Sequence, residues 1–184
     1  MKKKHLINLL VLAVFFIFPY QLLAQTNSLS TTVDVDIISP SSISDNSYLL
    51  SGTSLNFGAL TISNSVGGTC ILSTFNTRSV TGGVVVVNSS VSSNASFVIT
   101  GKANGTYVIA LPTNDVFVTR ATGTEKMIIS NLTARPISKN TDQFTGTFDN
   151  SGSDSFVIGG TLTIDAAQPV GIYNGTFSVT SVYN

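Results

Sequence analysis

The sequence predicts an all-β protein, a single immunoglobulin-like antiparallel β-sandwich that follows an N-terminal signal peptide. Three observations carry this. Short stretches alternate apolar and polar residues with the period of two that suits half-buried strands, and Gly or Asn clusters separate most of them. Ser, Thr and Asn make up 62 of residues 25–184, a bias that favours strands and turns and leaves few helix formers. No stretch of the chain keeps a helical period, so a long helix is not expected.

The elements follow in chain order. Lys2, Lys3 and Lys4 precede an apolar run from Leu6 to Phe18, then Pro19 and the small-residue end of Leu22-Leu23-Ala24. This is the layout of a secretory signal peptide cleaved after Ala24. As a helix the run reaches only about 20 Å, short of the roughly 30 Å of a hydrocarbon core. The expected mature protein is therefore residues 25–184, one exported β-sandwich domain without a transmembrane segment, secreted, periplasmic or on the cell surface.

Leu29, Thr31, Val33, Val35 and Ile37 share one parity against Ser30, Thr32, Asp34 and Asp36, which predicts a first strand. A Ser-rich loop, Ser39 to Thr53, leads to a second strand over Leu55 to Ile62, where Gly58 suggests a bulge or a close backbone approach. Further strands are expected around Cys70 and over Val84–Asn88, Ala95–Thr100, Thr106–Leu111, Asp115–Thr119, Lys126–Leu132, Phe144–Phe148, Phe156–Ile164 and Ile172–Tyr183. Asn104-Gly105 predicts that Ala95 to Leu111 form one hairpin. A closed barrel is the main alternative architecture. No fixed-period repeat is present, which argues against propellers and solenoids.

Composition excludes more chemistry than it suggests. Residues 25–184 hold 6 Lys and Arg against 9 Asp and Glu, a net charge of −3, which does not suit nucleic-acid binding. The one histidine, His5, lies in the leader, so Ser-His-Asp and Cys-His catalysis and His-ligated metals are excluded from the mature chain. A non-enzymatic protein without cofactor or metal is the expectation. Asp149 to Asp154 offers alternate oxygen ligands but lacks the spacing of a calcium loop, and a solvated turn fits it better. The single Cys70 has no partner within the chain and sits in an apolar stretch, which predicts a buried thiol. Arg78 is a lone charge between two strand signals, placed to hold loop carbonyls rather than a ligand.

Several segments resemble a family. Leu55-Asn56-Phe57-Gly58, Ala95-Ser96-Phe97-Val98-Ile99-Thr100-Gly101, Gly159-Gly160-Thr161-Leu162-Thr163-Ile164 and the tail Gln168 to Val179 are similar to a family of secreted bacterial domains of unknown function, DUF4402. The resemblance runs from about Val33 to Asn184. That family is similar to spore coat protein U and pilin-like secreted domains, which implies a pilin-like, immunoglobulin-like sandwich and no defined activity. The loop Ser39–Thr53 is longer than the family leads one to expect between its first strands.

The tail adds a second likeness. Phe177, Val179 and Tyr183 share a parity, with Val182 as the exception, for which a bulge at Thr180-Ser181 would account. Gly171 stands fourteenth from the end and Tyr183 is penultimate, as in pilus subunits assembled by chaperone and usher. Those subunits complete an open sheet edge with a strand from elsewhere. Residues 29–37 would be such a donor strand, or else an ordinary first strand of the same sandwich. The candidate strand-exchange or edge residues are Val33, Val35, Ile37, Gly171, Phe177, Val179 and Tyr183. Expected partners are other copies of the chain or related surface subunits, and an export chaperone. The alternative is an extracellular glycan- or protein-binding module that uses loops such as Ser39–Thr53 and Asn114–Lys126. Mass spectrometry of the exported protein is expected to find a chain that starts at Gln25, and an uncleaved Met1 form alone would contradict the signal-peptide reading.

Overall fold

The computed structural model describes residues 26–37 and 54–183. The expected signal peptide, residues 1–24, and the loop Ser39–Thr53 lie outside the described residues. Twelve strands and no helix form among those described. In order they are β1 (Thr26–Ile37), β2 (Leu55–Ile62), β3 (Gly68–Leu72), β4 (Arg78–Val80), β5 (Val84–Val86) and β6 (Ala95–Thr100). They continue with β7 (Thr106–Ala110), β8 (Val116–Arg120), β9 (Lys126–Pro136), β10 (Thr145–Thr147), β11 (Ser153–Ile164) and β12 (Gly171–Tyr183).

Backbone hydrogen bonds link these strands in the order β4-β3-β11-β9-β8-β12-β1-β2-β5. Two long strands each serve two partners along one edge: β11 pairs β6 over Ser153–Ile158 and β3 over Gly160–Ile164. In the same way β12 pairs β8 at Tyr173 and Asn174 and β7 from Thr180 to Tyr183. β10 lies beyond β7. The path folds back on itself, so that β2 lies over β11, β3 and β6, and the predicted β-sandwich is the observed fold. Every pairing is antiparallel except that of β1 with β2.

Alternation decides which side chains enter the core. In β6 Ala95, Phe97 and Ile99 are buried, and in β11 Phe156, Ile158, Leu162 and Ile164 are buried. Phe97 stacks on Phe156 with ring centroids 5.1 Å apart, and Tyr107 of β7 reaches Phe156 at 6.4 Å and Phe148 at 4.9 Å. Rings in offset and tilted contact of this kind contribute beyond the area they bury. The Tyr107 hydroxyl donates to Asp154 Oδ2 at 2.8 Å, which satisfies the one polar atom of an otherwise apolar packing.

Two strands break their alternation, and each break coincides with a positive φ. In β2 the buried positions pass from Leu55 and Phe57 to Leu60 and Ile62, across Gly58 at φ 75°. The bulge expected there is present. In β9 they pass from Met127 and Ile129 to Ala134 and Pro136, across Asn131 at φ 49°. There the ladder with β11 shifts between Gly159 and Thr161. One extra residue returns the second half of each strand to the core face.

Four expectations are corrected. Ala95 to Leu111 is not a hairpin: β6 pairs β11, and β7 pairs β12 and β10. Asn104 has φ 60°, but Gly105 is not left-handed, and the turn closes by Gly105 N–H donating to the Lys102 carbonyl at 2.9 Å. A two-residue primed turn needs positive φ at both places. The 101–105 connection instead crosses between layers, with Asn104 N–H on the Asp149 carbonyl and the Gly105 carbonyl accepting from Phe148 N–H. Next, β12 has no bulge at Thr180-Ser181, because its registers with β1 and β7 run unbroken through those residues. Ser181 occupies the buried position opposite Ile109, and Val182 takes the other face. Finally, β4 is a strand where a loop was expected, and β9 runs four residues past Leu132.

Gly146 of β10 faces Tyr107 across the β7 ladder, and a Cβ there would overlap the phenol ring. Gly146→Ala is therefore expected to cost about 1–3 kcal/mol, as overpacking does. The measurement is urea unfolding, read as a lower midpoint with an unchanged m-value.

Candidate functional site

A strand edge is a row of N–H and C=O groups that must find partners. β12 and β2 each have one edge filled by ordinary neighbours, β12 by β7 and β8 and β2 by β5. Their remaining edges do not meet, and β1 lies in the strand-wide slot between them. Against β12 it runs antiparallel over its whole length, from Thr26 opposite Val182 to Ile37 opposite Gly171. Against β2 it runs parallel, from Val33 opposite Leu55 to Ile37 opposite Leu60.

The structure brings six of the seven candidate edge residues together in this slot. Val33 stands opposite Gly175 and Leu55, Val35 opposite Tyr173 and Gly58, and Ile37 opposite Gly171 and Leu60. Phe177 and Val179 are buried and stand opposite Thr31 and Leu29. Tyr183 lies outside the β1 ladder, where it pairs with Tyr107 of β7. The apolar parity of β1 thus falls opposite Tyr173, Phe177 and Val179, all of which belong to the core.

Side chains outside the ladder fix the ends and walls of the slot. At the start of β12 the buried Gln168 donates from Nε2 to Tyr173 Oη at 3.0 Å, and Tyr173 donates to the Pro169 carbonyl at 2.7 Å. Burial raises the Tyr173 phenol above its ordinary pKa, so the hydroxyl remains a donor. Gly171 packs against the Arg120 side chain, which lies 3.6 Å from Glu125. On the β2 side, Arg78 reaches from β4 with a forked guanidinium. Nη1 donates to the Phe57 carbonyl at 3.0 Å and to Ser90 Oγ at 2.8 Å, and Nη2 donates to the Ser90 carbonyl at 2.6 Å. Asn56 Oδ1 accepts from Gly58 N–H at 2.8 Å.

Sequence reasoning placed Val33, Val35 and Ile37 on the inserted strand but did not find Leu55, Asn56, Leu60 and Ser90 in its surroundings. The parity break at Gly58 was the available signal for the first three. Ser90 gave none, since it is one Ser among many and acts only through the fold.

Elsewhere, the Asp149 carboxylate accepts from the Ser151 hydroxyl and from the amides of Ser151 and Ser153. These bonds hold its pKa below the usual carboxylate range, the Ser151 hydroxyl most of all. The exposed rings Phe75 and Phe117 each carry a cation of the same chain, Arg135 at 4.3 Å and Lys126 at 5.5 Å.

The family described as a domain of unknown function (DUF4402) matches residues 49–183. The chain belongs to that family. The DUF4402 span holds β2 to β12 and leaves β1 out, so it begins later than the resemblance from Val33 led one to expect. No curated protein matches the chain.

Cys70 of β3 is fully buried, beside Val80 in the β4 ladder. Burial pushes its thiol from 9.0 up to about 11, while the charge of Arg78 pulls it the other way. The folded chain thus keeps the thiol neutral to higher pH than the unfolded chain does. The associated stability is whole below pH 9 and is lost as pH rises through about 11. Urea midpoints of the parent and Cys70→Ala chains are expected to diverge over that window, the parent falling more steeply.

Proposed function

We propose that the protein is a non-enzymatic, exported structural subunit of pilin-like kind, which joins copies of itself or related surface subunits by β-strand addition. The observation that carries this reading is the position of β1, which pairs β12 along its whole length on one side and β2 on the other and so fills the gap between two strand edges. Such a slot takes its affinity from main-chain hydrogen bonds along two edges and its specificity from alternate side chains. A strand from a second copy meets both requirements in the same register.

The connection between β1 and β2 suits either source. Residues 38–54 can extend to roughly 55 Å at about 3.3 Å per residue. The arrangement within one copy needs far less, because Leu55 lies opposite Val33, only about 13 Å back along the strand from Ile37. A neighbouring copy is thus within reach. That the DUF4402 match leaves β1 out supports the reading of β1 as a segment added to a self-contained β2–β12 body. An export chaperone would then cover the same two edges until a strand arrives, since open edges invite aggregation. A glycan-binding surface would want exposed rings on one face. The exposed Phe75, Phe117 and Phe144 belong to different elements, and two of them already carry a cation.

A strand tethered in its own chain acts at an effective concentration on the order of millimolar, so exchange between copies competes only when copies are crowded. Ser30 and Ser178 face each other across β1 and β12. In a Cys70→Ala background, chains with Ser30→Cys and chains with Ser178→Cys are mixed, unfolded and refolded together under oxidising conditions. A disulfide between the two chains is expected, with a yield that climbs with protein concentration. Monomers alone at every concentration would rule the reading out.

A further inference from the structure

The slot is not a pair of straight edges. From Val33 to Ile37, β1 advances four residues, while from Leu55 to Leu60 its partner β2 advances five. The surplus residue sits in the bulge at Phe57-Gly58. Positions four apart on a strand share a face, and positions five apart do not. An uninterrupted alternating strand such as residues 29–37 therefore presents apolar positions to both Leu55 and Leu60 only because β2 carries the extra residue. Both leucines are fully buried, so neither can be turned out of the core cheaply.

A bulge persists only if the backbone groups it removes from the ladder are satisfied elsewhere. Here the Phe57 carbonyl accepts from Arg78 Nη1, and Gly58 N–H donates to Asn56 Oδ1. Arg78 is itself clamped, with both terminal nitrogens on Ser90, whose hydroxyl donates onward to the Ala59 carbonyl at 3.1 Å. The guanidinium fills the space that a side chain at position 58 would need: a Cβ on Gly58 would lie 2.5 Å from Nη1. A planar fork that serves two carbonyls and a hydroxyl at once is something Lys cannot supply. We infer that Arg78 is the residue that fixes the register in which the slot takes a strand, by holding open the β2 bulge that matches four residues of the incoming strand to five of its own.

This rests on the slot being where a strand is added, and its test does not depend on where that strand comes from. Amide hydrogen exchange is followed residue by residue on the full-length parent, Arg78→Lys and Ser90→Ala chains. Lys retains the charge without the fork, and Ser90→Ala removes one contact of the clamp and leaves the others, so at least one of the two is expected to remain folded. In both, the amides of Leu55–Leu60 and of Val33–Ile37 are expected to exchange about tenfold or more faster than in the parent, while β9 and β11 hold their rates. Equal acceleration across every strand would mean a general loss of stability and would overturn the assignment, as would unchanged exchange in β1 and β2. The cross-link between co-refolded chains reports exchange between copies, whereas this pattern reports register, so either result can fail alone.

Discussion

The requirement that backbone groups along a strand edge be hydrogen-bonded governs this molecule more than any pairwise side-chain contact. Each of the eleven described strands other than β1 has a ladder partner without it, but among the described residues the backbone ladder that joins β12 to β2 runs through β1. Main-chain bonds along both edges and the burial of Tyr173, Phe177 and Val179 opposite the apolar parity of β1 act together at that seam. The rest of the fold, from the Phe97–Phe156 stack to the Tyr107–Asp154 bond, stabilises two walls that the seam holds together.

Alternation carried most of the fold because a half-buried strand leaves a period-two imprint wherever nothing interrupts it. Residues 29–37 show that imprint throughout, and so do β6 and most of β12. Where the imprint broke, the outcome depended on whether the interruption was visible. Gly58 is the kind of residue that tolerates positive φ, so the bulge in β2 was legible. Asn131 performs the same task in β9 at φ 49°, but in a chain so rich in Asn it does not stand out, and β9 looked finished at Leu132.

The remaining differences are tertiary. Asn104-Gly105 is a strong local turn signal, yet the burial of Phe97 against Phe156 and of Tyr107 against Phe148 draws the flanking strands into different layers. Ser181 takes a core position because an unbroken ladder with β7 outweighs the burial that a bulge would gain for Val182. Of the candidate site, the inserted strand and the β12 wall were legible, being written as alternation. The β2 wall was half legible, through Gly58. That Arg78 holds carbonyls was legible from its being a lone charge between strand signals, and it does hold those of Phe57 and Ser90; which ones was not, since these partners lie 21 and 12 residues away in sequence and meet it only once β4 and β2 are in place.

The ladder between Thr26 and Val182 joins the two ends of the described chain. Its closure cannot begin until the C-terminal strand has been made, whatever the speed with which the middle of the protein folds. Contacts so distant along the chain are slow to form because the loop entropy is lost before any bond repays it. During that interval two unpaired edges face solvent, and the chain is most exposed to misassembly while it is most nearly complete.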